Sequence, residues 1–154
     1  MHEHSFCNLQ LPHLQLDELR TRLRSCTQVL WLWLATDPLT KTIPVLHLGP
    51  RTQNMAHLVI HSLREILAPG CFPLFTSDGL NVYFYALTAH FGQWCKGVRR
   101  GQKVSQWQVA AELLYGQVKK IYRQRKLVRV TYVMRLGTGA ALKIALQGLV
   151  SQDD

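Results

Sequence analysis

The stretch Gln28–Ala35, QVLWLWLA, limits what this chain can become. Its core, Val29 to Ala35, is apolar at seven consecutive positions and so offers no polar face to water. A run of that length fits a central strand, covered on both sides, rather than the half-solvated strand that alternation would give. It is also the longest apolar run, far short of the ~20 residues of a membrane span. A chain of 154 residues is long enough to bury such a strand in a single domain.

The neighbours of this run suggest its sheet. Leu14–Leu19, LQLDEL, is a short strand carrying Asp17, and Thr42–Leu48, TIPVLHL, follows the turn Asp37-Pro38. Pro44 cannot donate to a ladder, which favours an edge or a bulge. These three segments form an antiparallel meander. Thr52 can cap a helix over Gln53–Leu67, with Met55, Leu58, Val59, Leu63, Ile66 and Leu67 on one face and Pro69-Gly70 as its stop. Cys71–Thr76 returns as a strand, and a strand reached through a helix usually runs parallel to a neighbour in its sheet. Beyond it, Ser105 and Gln108 form a capping-box pattern for a helix over Gln106–Gln124, with Trp107, Ala111, Leu114, Val118 and Ile121 inward. Leu127–Val133 alternates as a strand, and Thr138–Leu149 is a last helix. The order is α/β, and three antiparallel strands followed by a crossover to a fourth open the ribonuclease-H-like fold.

Charge is divided unevenly. The net charge is +9. Residues 1–78 hold six Lys or Arg and six acids, whereas residues 79–154 hold twelve bases and three acids. Lys96, Arg99, Arg100, Lys103, Lys119, Lys120, Arg123, Arg125 and Lys126 fall in one segment with a single acid, Glu112. Interleaved with Trp94, Trp107, Tyr115 and Tyr122, these cations suit a nucleic-acid backbone. Cys7, Cys26, Cys71 and Cys95 form no CxxC pair, which fits reduced thiols in a cytoplasm. The N-terminus, MHEHSFCNLQ, lacks an export signal's charged-then-apolar design.

The end of the fourth strand carries the chemistry. Leu74–Asp78, LFTSD, is an apolar stretch that ends in a carboxylate followed by Gly79. Ser-Asp-Gly is ordinary turn chemistry, since Asp bonds its own backbone and Gly accepts positive φ. In the topology above, however, the first strand is central and the fourth lies beside it, so Asp17 and Asp78 would approach each other. Two close carboxylates repel, and a divalent cation relieves that repulsion. Oxygen-only ligation suits Mg²⁺ or Mn²⁺ in phosphodiester chemistry.

These segments resemble the bacterial DDE-type insertion-sequence transposases, in particular the insertion-sequence-one group. The resemblance rests on Asp17-Glu18, Trp31-Leu32-Trp33, Asp37-Pro38, Gly49-Pro50-Arg51-Thr52 and Ser77-Asp78-Gly79, an ordered set covering about residues 14–150. It implies a ribonuclease-H-like mixed sheet with flanking helices, and Asp17 and Asp78 as the first two catalytic, Mg²⁺-binding acids. It also implies DNA partners (element ends and target), a bacterial cytoplasmic location, and association with full-length transposase or with itself. Asp37 belongs to the turn after the second strand. Residues 1–13 are then a short tail, 14–150 a partial core with a basic insertion at about 93–135, and 151–154 a second tail.

The sequence departs from that family in its third acid, a Glu on a later helix in an Ile-Glu-Arg-like setting, which this chain lacks. The resemblance therefore implies a core incomplete at the C-terminal end and inactive alone, with a non-catalytic DNA-binding regulator as the alternative. Glu112 lies on the predicted Gln106–Gln124 helix, where it is either a substitute third acid or a solvent-facing residue. Among other candidates, His2, His4, Cys7 and His13 offer metal-ligand side chains, against which their uneven spacing near a chain end counts. His57 and His61 share a helix face without the Glu of HExxH, and so fit packing or surface roles. Asp153 and Asp154 sit at a fraying terminus.

Overall fold

A computed structural model describes residues 7–21, 29–79 and 81–152, with side chains to Gln147. His2, His4, Cys26, Asp153 and Asp154 lie outside the described residues. The first three strands are β1 (His13–Thr21), β2 (Leu30–Thr36) and β3 (Val45–Gly49), an antiparallel meander as expected. β3 lies at the edge of its sheet, and Pro44 precedes it where no ladder bond is missed.

Helix α1 (Gln53–Ile66) begins where Thr52 accepts a hydrogen bond from the Met55 amide, at 3.4 Å. Its buried stripe is Ala56, Val59, Ile60 and Leu63. Leu58, expected inside, is 43% exposed, because the face turned to the sheet is rotated toward Ala56 and Ile60. The chain returns through β4 (Leu74–Ser77), which starts after Pro73 rather than at Cys71 and runs parallel to β1. Helix α2 (Val82–His90) packs on α1 and buries Tyr83, Ala86 and Leu87.

The expected helix over Gln106–Gln124 is absent; that segment is strand and turn. β5 (Gly92–Arg99) and β6 (Gln102–Val109) form a separate hairpin, and β7 (Leu114–Arg123) and β8 (Lys126–Leu136) follow. The apolar positions at helical spacing are largely β-branched or aromatic residues that serve a strand equally well. Gly116 would weaken a helix interior. Both hairpins turn on two residues of positive φ, Arg100-Gly101 and Gln124-Arg125, whose left-handed geometry matches the twist of paired strands.

The main sheet is mixed and six-stranded, in the order β3-β2-β1-β4-β7-β8. β1, β4 and β7 run parallel, while β2, β3 and β8 are antiparallel to their neighbours. The architecture is α/β, and the last helix, α3 (Gly139–Gln152), follows β8. Leu14, Leu16, Trp33, Ala35 and Phe75 form the core with the buried residues of α1 and α2.

Two further expectations change. Only Trp33 and Ala35 of β2 are fully buried. Leu32 and Leu34 are half-buried beside Leu48 and Leu46, both more than half exposed, so the second face of the run is less covered than its composition suggests. The stretch before β1 also has a place in the fold from Leu9 onward. The Leu9 amide donates to the Ile66 carbonyl, and the Ala68 amide donates to the Leu9 carbonyl. Among the described residues, no helix is long and apolar enough to cross a membrane.

Candidate functional site

The register of β1 against β4 decides where the two expected acids lie. His13 pairs with Leu74 and Leu16 with Ser77, where the ladder ends, so Asp17 and Asp78 each stand one residue past its last pair. Both acids are exposed. Asp78 follows the last residue of β4, and Gly79 takes φ +55°, so the turn chemistry read from Ser-Asp-Gly is also present.

Behind Asp17 stands a buried anchor that sequence reasoning did not single out. Glu18 points to the opposite face, where its side chain is 8% exposed. One oxygen accepts from Arg51 Nη2 at 2.9 Å, and the other accepts from the Tyr83 hydroxyl at 2.7 Å. Burial, and then the charge of Glu18, hold the Tyr83 hydroxyl well above the ordinary tyrosine range, so it stays a donor. The Glu18 amide donates to Asp17 Oδ1 at 2.8 Å. Arg51 stacks over the Trp31 ring at 4.7 Å, Trp33 Nε1 donates to the Pro50 carbonyl, and the Trp33 and Tyr83 rings meet edge-on. The Asp-Glu, Trp-Leu-Trp and Gly-Pro-Arg-Thr segments therefore form one contact network behind the acid edge. The advance signal was the ordered set of short segments in which Glu18 and Arg51 stand.

Asp37 is structural. It is 1% exposed, accepts from the Leu39 amide at 3.0 Å and the Thr40 hydroxyl at 2.7 Å, and fixes the turn after β2. His13 is likewise a core residue: its ring bonds the Thr76 hydroxyl, and burial pushes its pKa below the ordinary histidine value.

Glu112 does not join Asp17 and Asp78. It is exposed in the turn before β7, two residues ahead of Leu114, which pairs with Leu74 at the start of β4. Asp78 lies past the other end of that strand. The four steps from Leu74 to Asp78 alone span about 13 Å at the rise of a parallel strand. Glu112 instead lines a cleft of about 720 Å³ with Arg64, Cys71, Phe91 and Gln108.

The nine expected phosphate-binding cations are all exposed and are distributed over two hairpins. Lys96, Arg99, Arg100 and Lys103 belong to β5–β6. Lys119, Lys120, Arg123, Arg125 and Lys126 gather where β7 and β8 run past β4, which pairs with β7 only from Leu114 to Gln117.

The donor set at Asp17 and Asp78 fits a hydrated Mg²⁺ or Mn²⁺, which takes one or two carboxylates and completes its shell with water. Among the described residues no group of three His, Cys, Asp or Glu side chains is arranged to hold a metal. His57 and His61 are tied up differently: His57 Nδ1 lies 3.1 Å from His90 Nε2, and His61 pairs with Glu65 at 3.0 Å. Cys7, Cys71 and Cys95 are free thiols. Comparison of the chain with protein-family models, curated proteins and solved structures finds no match.

Proposed function

We propose that this chain is a ribonuclease-H-like DDE transposase core that binds DNA and Mg²⁺ or Mn²⁺ and does not cleave DNA alone. The observation that carries this reading is the parallel register of β1 and β4, whose last pair, Leu16 with Ser77, leaves Asp17 and Asp78 as the next residue of each strand's path at the carboxyl end of β4. The strand order β3-β2-β1-β4-β7, with β2 antiparallel to β1, is the order expected of that fold and supports it. Three of the segments that resemble insertion-sequence transposases, Asp17-Glu18, Trp31-Leu32-Trp33 and Gly49-Pro50-Arg51-Thr52, meet next to Asp17 through the contacts of Glu18, Arg51 and Trp33.

The chemistry follows from the side chains. Asp17 and Asp78 supply the oxygens that would hold the cation, which when bound would supply an activated oxygen nucleophile and neutralise phosphate charge. Glu18, fixed by Arg51 and Tyr83, orients the backbone next to Asp17. The cations of the two hairpins would meet DNA phosphates, which gives affinity without base specificity. The complete reaction needs a third carboxylate to complete the metal ligation. Glu112 lies at the other end of β4, and Glu18 faces away from Asp17.

The placement of Glu112 at the other end of β4 favours a second reading, a DNA-binding regulator derived from a transposase. Metal binding separates the two. In the first, Mn²⁺ at tenfold above its dissociation constant stabilises the fold by about 1.4 kcal/mol. Thermal unfolding should register that gain in the wild type and lose it in both Asp17→Asn and Asp78→Asn. Stabilisation that survives both substitutions would remove these acids as the metal site. No stabilisation of the wild type would favour the regulator. Strand cleavage by the chain alone should stay at background, and Mn²⁺-dependent cleavage abolished by Glu112→Gln would overturn the proposal.

A further inference from the structure

The β5–β6 hairpin shares no ladder with the main sheet. An isolated two-stranded ribbon is marginal by itself, so its attachment matters. Trp107 supplies one: its Nε1 donates to the Thr88 carbonyl of α2 at 2.7 Å. The Ala110 amide closes the base by donating to the Phe91 carbonyl at 3.1 Å. Gly92 makes room for this seat, since a Cβ there would stand 2.5 Å from the Gln108 carbonyl and 2.8 Å from the Trp107 ring. Trp107 is thereby explained as an anchor.

Trp94 has no such explanation. It pairs directly with Trp107 across the ladder and meets that ring edge-on, with centroids 5.6 Å apart and planes at 73°. It remains 69% exposed. Strand alternation sets Trp94, Lys96 and Val98 of β5 on one face with Trp107, Ser105 and Lys103 of β6. The whole ribbon from Gly92 to Val109 contains Lys96, Arg99, Arg100 and Lys103 and no acid. A large bare aromatic ring at the foot of a row of like charges needs a partner that brings both negative charge and a flat apolar surface. Single-stranded nucleic acid brings both, because each unpaired nucleotide joins a phosphate to a free base face. Inside a duplex the base faces are covered by their neighbours, and only the phosphates remain for such a ribbon.

We propose that Trp94 is a stacking platform for an unpaired base of DNA, with Lys96 and Lys103 on the adjoining phosphates. This deepens the DNA-binding reading above and rests on it. The ligand class is single-stranded DNA, or a duplex with unpaired nucleotides at its end.

The test compares two labelled DNAs by fluorescence anisotropy with the full chain: a thymine oligonucleotide, and a duplex closed by hairpins at both ends. Trp94→Ala should weaken oligonucleotide binding roughly 5- to 100-fold, the loss expected when one stacked base is released. Trp94→Phe should recover most of it. Binding to the closed duplex should stay within about twofold, and the salt dependence on both DNAs should be unchanged because no charge is removed. Replacing Arg99, Arg100 and Lys103 by Ala should instead weaken both and flatten the salt slope by about two to three. Oligonucleotide affinity unchanged in Trp94→Ala, or an equal loss on both DNAs, would overturn the stacking role while leaving DNA binding intact. Failure of the wild type to bind either DNA would overturn DNA binding itself and the stacking role with it.

Discussion

Tyr83→Phe should destabilise the protein by about 2 kcal/mol, although it deletes only one oxygen. Tyr83 is 1% exposed, and its ring meets Trp33 edge-on at 5.8 Å, contacts that Phe retains. What is lost is the hydroxyl that donates to Glu18 Oε2 at 2.7 Å. A hydrogen bond to a charged group is worth about 1.5–3 kcal/mol, and this acceptor is 8% exposed, so water replaces the donor poorly. Arg51, whose side chain is 43% exposed, should matter less, with Arg51→Gln costing about 1 kcal/mol. Urea unfolding followed by tryptophan fluorescence should show a lower midpoint with an unchanged slope. In a Glu18→Gln background, where the acceptor is neutral, the cost of Tyr83→Phe should fall to about 1 kcal/mol. A loss below about 0.5 kcal/mol in the Glu18 background, or no difference between the two backgrounds, would refute the view that Tyr83 compensates a buried carboxylate.

The distal turn of β7–β8 holds Gln124 at φ 49° and Arg125 at φ 65°, both left-handed and neither glycine. Gln124→Asn with Arg125→Gly should relieve about 1–2 kcal/mol of backbone cost and slow amide exchange at Arg123 and Lys126 roughly tenfold; unchanged exchange would count against that turn. His13, His47 and His90 are all held below the ordinary histidine value of 6.5, in each case mainly by burial. The unfolded chain therefore takes up their protons more readily, so stability is complete above about pH 6.5 and falls as pH drops through the lower folded-state values. The urea midpoint should be lower at pH 5.5 than at pH 7.5, and His90→Gln should reduce that difference. A flat profile would contradict it.

The first half of the chain was largely legible because its patterns are local. Alternation and apolar runs marked β1, β2 and β3, and Thr52 with Pro69-Gly70 bounded α1 within a residue or so. Pro44 foretold an edge strand, and Asp37-Pro38 a turn. The Gln106–Gln124 segment was not legible, because Trp107, Leu114, Val118 and Ile121 satisfy a helical period while also fitting strands. The choice was made by partners: β5 for β6, and β4 and β8 for β7.

By itself the sequence determined which residues are apolar, where charge accumulates, and which two acids end or occupy strands. Only the tertiary structure decided that β1, which carries Asp17, and β4, which Asp78 follows, are neighbouring parallel strands, that Glu18 turns inward to Arg51 and Tyr83, and that Glu112 sits at the opposite end of β4. The nine cations likewise fall on two hairpin arms. Periodicity records how a segment meets its immediate surroundings. The register of β1 on β4 and of β4 on β7 is set by contacts between residues far apart in the chain, and no local pattern specifies them.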